Sequence, residues 1–102
     1  MGTLGQPNPA LAKVAASAPA EFAAQMALSH LSDLYRLTVL VVTVEADMDR
    51  VAYWWELMAN ICERQHHALA RSLGPQAGLP ALADMVKLRD RCREFRDLHR
   101  RG

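Results

Sequence analysis

Between Ala20 and Leu73 the chain contains neither glycine nor proline, although it has five of each in its 102 residues. That long stretch therefore carries no turn signal. Cysteine is limited to two, too few for a disulfide framework. Charge of one sign is also missing: 12 Lys and Arg stand against 11 Asp and Glu, so the net charge of +1 gives no global pull toward nucleic acid or a membrane surface. The longest largely apolar run, Leu37 to Val44 with two threonines in it, falls far short of the roughly 20 residues of a membrane span. The first twenty residues carry a single charge, Lys13, and no signal-peptide core. Hydrophobic residues make up 51% of the chain, too many for a disordered one. These absences predict one small soluble domain in the cytoplasm, with no membrane span.

The breakers divide the chain. Gly74-Pro75-Gln76-Ala77-Gly78-Leu79-Pro80 reads as a helix stop, a turn and a helix start, with Gly74 as the C-terminal cap and Pro80 near a first helical position. Asn8-Pro9 predicts a short N-terminal helix that Asn8 caps and that ends near Ser17, before Pro19 restarts the chain. Residues 1–18 thus form an arm or short helix, and residues 19–102 the main domain.

The middle segment is helical by period. Steps of three and four from Leu34 give Leu37, Val41, Val44, Met48, Val51, Trp55, Met58 and Cys62, every one apolar. Six of the eight residues from Leu37 to Val44 are β-branched, which suits a strand. With no second such run to pair with, the segment reads as a helix buried nearly all round. The outer positions Val39 and Val42 imply a second contact surface. The last segment repeats the pattern with Met85, Leu88, Cys92, Phe95 and His99, predicting an amphipathic helix from Pro80 to about Arg100.

An unbroken helix from Pro19 to Leu73 would run about 80 Å, far beyond the last helix at about 30 Å. Either it breaks near Ser29 to Asp33, where Ser32 could cap, or a second protomer covers the excess. The predicted fold is all-α: a helical hairpin with a short N-terminal helix, assembled into an oligomeric helical bundle, a homodimer or tetramer. Centring the turn near Ala77 sets Leu69 opposite Met85, Glu63 opposite Arg91, Cys62 opposite Cys92 and Trp55 opposite His99.

Little of this carries obvious chemistry. The four serines (17, 29, 32 and 72) lie in no Gly-flanked elbow, and no phosphate loop is present, so no catalytic residue and no cofactor is expected. The two thiols sit level, but packed helix axes 8–10 Å apart favour reduced core cysteines over a bridge. Glu63-Arg-Gln-His66 matches the Glu-x-x-His spacing of bundle metal sites, with Cys62 and Glu56 placed to help. Residues 79–102 carry seven Lys and Arg against four acids, yet Asp90, Glu94 and Asp97 interleave Arg89, Arg93, Arg96 and Arg100. That reads as a self-neutralising face, with Asp97 in reach of Arg93 and Arg101, rather than a nucleic-acid stripe. Tyr53-Trp54-Trp55 puts three rings on successive positions about 100° apart, and only Trp55 lies on the main seam. The candidate interaction residues are therefore Val39, Val41, Val42, Tyr53, Trp54 and Trp55.

The pattern resembles the phasins, helical proteins that coat polyhydroxyalkanoate granules. The likeness rests on Trp54-Trp55-Glu56-Leu57, Glu63-Arg64-Gln65 and Leu79-Pro80-Ala81-Leu82-Ala83-Asp84-Met85, within about residues 20–98. Gln and Asn are scarcer here than in that family, and the valine run is more apolar. The resemblance implies a non-enzymatic, self-associating binder of hydrophobic surfaces. Two rival readings are a small chaperone or adaptor holding a partner's amphipathic helix, and a metal-binding bundle.

Overall fold

The structure, a computed structural model, describes residues 9–74 and 78–101, with side chains described for 18–74 and 78–100. It is all-α. Three helices, α1 (Pro9–Val44), α2 (Met48–Leu73) and α3 (Pro80–Arg101), follow one another with no strand among the described residues. Asn8, the centre of the turn at residues 75–77 and the Arg101 side chain lie outside the described residues.

Two boundaries differ from expectation. The first 36 residues of helix form one element, so no separate short N-terminal helix ends near Ser17. Pro19 lies inside α1. An interior proline forfeits one backbone hydrogen bond, but the alanines on both sides are the strongest helix formers and carry the helix past it. The second break falls at residues 45–47 and not at Ser29 to Asp33, so Ser32 is an interior residue of α1. Asp47 makes that break. Its backbone is extended (φ −88°, ψ 115°), its Oδ1 accepts from the amide of Asp49 at 2.9 Å, and its carbonyl accepts from Val51 at 3.1 Å. Glu45 Oε1 in turn accepts the Asp47 amide at 3.1 Å. A carboxylate at the cap and another in the first turn are what a helix start stabilises.

The β-branched stretch is helical, and both of its hydroxyls find partners within the helix. Thr38 Oγ1 donates to the Leu34 carbonyl at 2.8 Å and Thr43 Oγ1 to the Val39 carbonyl at 2.6 Å. Such back-bonding leaves no polar group asking for a strand partner. At the other end of α2, Gly74 takes φ 56° and its amide reaches the Ala70 carbonyl, a conformation that glycine adopts without steric cost. Pro80 opens α3, where its missing amide is not needed.

Most interhelical packing joins α2 to α3, with α1 laid against both. The core contains Val51, Trp55, Met58, Ala59 and Cys62 from α2, Leu82, Met85 and Cys92 from α3, and Leu31 from α1. Trp55, 4% exposed, joins the helices: its ring lies 5.6 Å from Tyr35 of α1 and 4.8 Å from Phe95 of α3.

Candidate interaction surface

Helix α1 carries two apolar rows. Ala24, Leu31 and the half-buried Tyr35, Thr38 and Val42 face α2 and α3. The row anticipated as the seam, Leu34, Leu37, Val41 and Val44, is instead exposed, and the segment is not buried all round within one chain. The phase slips because the helix ends at Val44. A continuous heptad cannot be carried across a non-helical linker, so α1 sets its own rotation.

On the side away from the core, Phe22, Met26, Leu37, Leu40 and Val44 fall within an arc of about 60° at 100° per residue. All five are exposed, Leu40 at 65% and Val44 at 84%. The pattern is present in the sequence at positions 22, 26, 37, 40 and 44, but His30 and Asp33 interrupt it on the same side, so no contiguous run marks it.

Between the two rows lies an apolar groove of about 200 Å³, walled by Leu34, Leu37 and Val41 of α1 and by Trp54, Leu57 and Ile61 of α2. Val41 and Trp54 thus meet in one place. Tyr53 stands exposed beside it, edge-on to Trp54 with ring centroids 6.0 Å apart. The remaining candidates part company. Val39 is exposed but lines no part of this groove, Val42 turns partly inward against the core, and Trp55 is core. Apolar area of this extent on one side of a small chain is uncommon without a binding role.

The charges of α3 belong to a different structure. Glu63 receives Arg93 at 2.8 Å and Arg89 at 3.6 Å, and seven residues away Glu56 receives Arg100 at 2.7 Å and Arg96 at 3.9 Å. Asp90 and Asp97 pair with Arg89 and Arg96 at 3.0 Å each. The result is one ionic clamp used twice, a heptad apart. It fastens α3 to α2 and leaves these four arginines neutralised rather than presented to phosphate.

The same clamps engage the carboxylates of the metal reading. Glu63 and Glu56 are held by guanidinium groups, and Glu63 also lies 3.8 Å from His67 rather than ligating through His66. Among the described residues no three His, Cys, Asp or Glu side chains come together as a metal would require. Cys62 is fully buried and free, as is Cys92. Burial pushes the Cys62 thiol up to about 11, against the pull of Arg89. Burial pushes Cys92 up to about 12, with Cys62 nearby adding to the rise. Neither is a thiolate at neutral pH, the form that binds metal or attacks a disulfide.

The helix segment Ala18–Val44 has 27 residues and is, by length and composition, sufficient to cross a membrane. The expectation of no span was drawn from the Leu37–Val44 run, whereas length and composition are averaged here over the whole helix. Asp33 and Arg36 stand near its middle, paired at 3.8 Å and largely exposed. A charge there costs about 2.5–3.5 kcal/mol on insertion scales, which weighs against a crossing. In comparisons with known proteins the chain matches no family model, no curated protein and no solved structure.

Proposed function

We propose that this chain is a non-enzymatic, self-associating interaction protein, a helical hairpin preceded by α1 that assembles into a homodimeric or tetrameric bundle. The interface is the outward side of α1 from Leu34 to Val44, continued by Tyr53 and Trp54. One observation carries this reading: Leu37, Leu40 and Val44 lie on one side of a regular helix and are open to water. Covering such a side chain is worth about 1.5–3 kcal/mol at full burial. The groove beside them gives an incoming helix a concave seat, as helix-in-groove recognition requires.

Light scattering at micromolar concentration tests the assembly. The wild type is expected to weigh a multiple of 11.3 kDa. Val41→Asp places a charge in the groove opposite Trp54, where an unpaired buried charge costs several kcal/mol in the assembly, and should return the mass to that of one chain. A wild type that is monomeric at this concentration would remove the proposal.

A second reading follows from the length of the apolar side. A continuous helix of 27 largely unburied residues also suits adsorption to a hydrophobic particle, the role implied by the phasin resemblance. Binding of the purified chain to polyhydroxyalkanoate or other hydrophobic beads, without any other protein, tests that role.

A further inference from the structure

Resting on the self-association just proposed, we infer that the outward side of α1 packs against the same side of a second copy running in the opposite direction, with Asp33 of each copy against Arg36 of the other. The side is built in three parts. Phe22 and Met26 form an apolar end, Leu37, Leu40 and Val44 another, and between them stand His30 and Asp33 with Arg36 at their flank. Arg36 and Asp33 are 79% and 66% exposed at their side chains, and the exposed ion pair between them spans 3.8 Å.

This order decides the direction of the partner. In a parallel pair related by a two-fold axis, each residue meets its own copy, so Arg36 would face Arg36 and Asp33 would face Asp33. Antiparallel packing about a two-fold axis between Leu34 and Tyr35 brings Asp33 level with the other copy's Arg36, twice by symmetry. It also brings Met26 level, within one residue, with Val44 of the other copy, while Leu37 and Leu40 come level with Ser32 and Ser29 of that copy. A bilayer offers nothing to the charged centre. An uncharged apolar partner would cover the Asp33–Arg36 pair and add no charge to it. A second copy supplies the opposite charges at the required level, and the groove walled by Val41 and Trp54 lies alongside to receive the edge of the incoming helix.

Cross-linking tests the geometry separately from the assembly. Met26→Cys and Val44→Cys chains are prepared singly, mixed, oxidised gently and mapped by mass spectrometry. Native Cys62 and Cys92 are fully buried and stay out of the reaction. The expected product joins position 26 of one chain to position 44 of the other, several-fold above 26–26 and 44–44 products. Predominance of same-position products, or no cross-link in a sample whose mass is a multiple of the chain, overturns the antiparallel arrangement and leaves self-association standing. A monomeric mass overturns both. The charges are tested by mixing: Asp33→Arg alone and Arg36→Asp alone should each be monomeric, while an equal mixture regains the oligomeric mass. Oligomeric single variants, or a mixture that stays monomeric, would remove the charged centre from the interface.

Discussion

Helices α2 and α3 turn their apolar residues toward each other, whereas α1 divides its own between two opposite sides. In α2 the row Val51, Trp55, Met58 and Cys62 is buried, and in α3 Leu82, Met85 and Cys92 answer it. Charge reinforces that pair through the repeated Glu63 and Glu56 clamps. Helix α1 contributes Leu31 fully and Tyr35 and Val42 partly to the same core, then presents Leu37, Leu40 and Val44 to solvent. An amphipathic helix has one side to satisfy and is finished by one neighbour. A helix apolar on two sides is finished only when something covers the second. The two regions thus differ in that α2 and α3 bury their apolar sides within the chain, whereas α1 leaves one of its two open.

The sharpest test of this division sets a core ring against an outward side chain. Trp55→Ala should cost about 3–5 kcal/mol, because the ring touches all three helices and leaves a cavity behind. At roughly 4–8 °C per kcal/mol for a domain of this size, thermal melting by circular dichroism should fall by more than 10 °C, at any protein concentration. Leu40→Ser should instead leave melting in dilute solution nearly unchanged and lower it only where the chain associates. Equal losses in the two variants, independent of concentration, would erase the distinction.

A smaller effect comes from the paired thiols of α2 and α3. Their folded pKa values, about 11 and about 12, lie above the ordinary 9.0. Above pH 9 the unfolded chain releases thiol protons that the folded chain retains, so their contribution is fully present below pH 9 and is lost as pH rises toward 11–12. The melting temperature should fall over that window, and a Cys62→Ala/Cys92→Ala chain should fall less. An identical alkaline decline in both chains would show that the thiols do not contribute.

The smallest effect is expected at the clamps. Glu63→Gln keeps the shape and removes the charge facing Arg89 and Arg93. Partly exposed pairs of this kind contribute up to about 1 kcal/mol and are screened by salt. The variant should melt slightly lower than wild type at low salt and alongside it at 1 M salt. A gap that persists at high salt would assign Glu63 a packing role instead of an ionic one.

Much of α2 and α3 was legible in the sequence. Spacing alone selected Val51, Trp55, Met58 and Cys62 on one helix and Met85 and Cys92 on the other, and these are core residues. The Gly74 cap and the Pro80 start were equally plain, since glycine and proline act through the backbone and need no neighbours. Reading Glu63 against position 91 placed it between Arg89 and Arg93, its two partners. The rotation of α1 was not legible. Its heptad ran on into α2 without a missed step, concealing the Asp47 cap, although an aspartate followed two residues later by another is a helix-start signal in its own right. Of the interaction residues, Val41 and Trp54 share a groove because the chain reverses at residues 45–47, while Trp55, the neighbour of one of them, ends in the core.

By itself the sequence determined that this protein is helical. Absent breakers and a period near 3.5 residues are local signals, and they select helix over strand without reference to the partner elements. It also determined that α1 has more apolar sides than one helix pair can cover. Only the tertiary structure decided which side goes inward. The outward side, with Phe22, Met26, Leu37, Leu40 and Val44, is more apolar than the inward row with its Ala24, Tyr35 and Thr38, so transfer energy alone does not select the side that is buried. Shape makes the choice: with Leu31 and Tyr35 inward, the Tyr35 ring packs at a tilt against Trp55, itself packed against Phe95, and Leu37, Leu40 and Val44 are left outside.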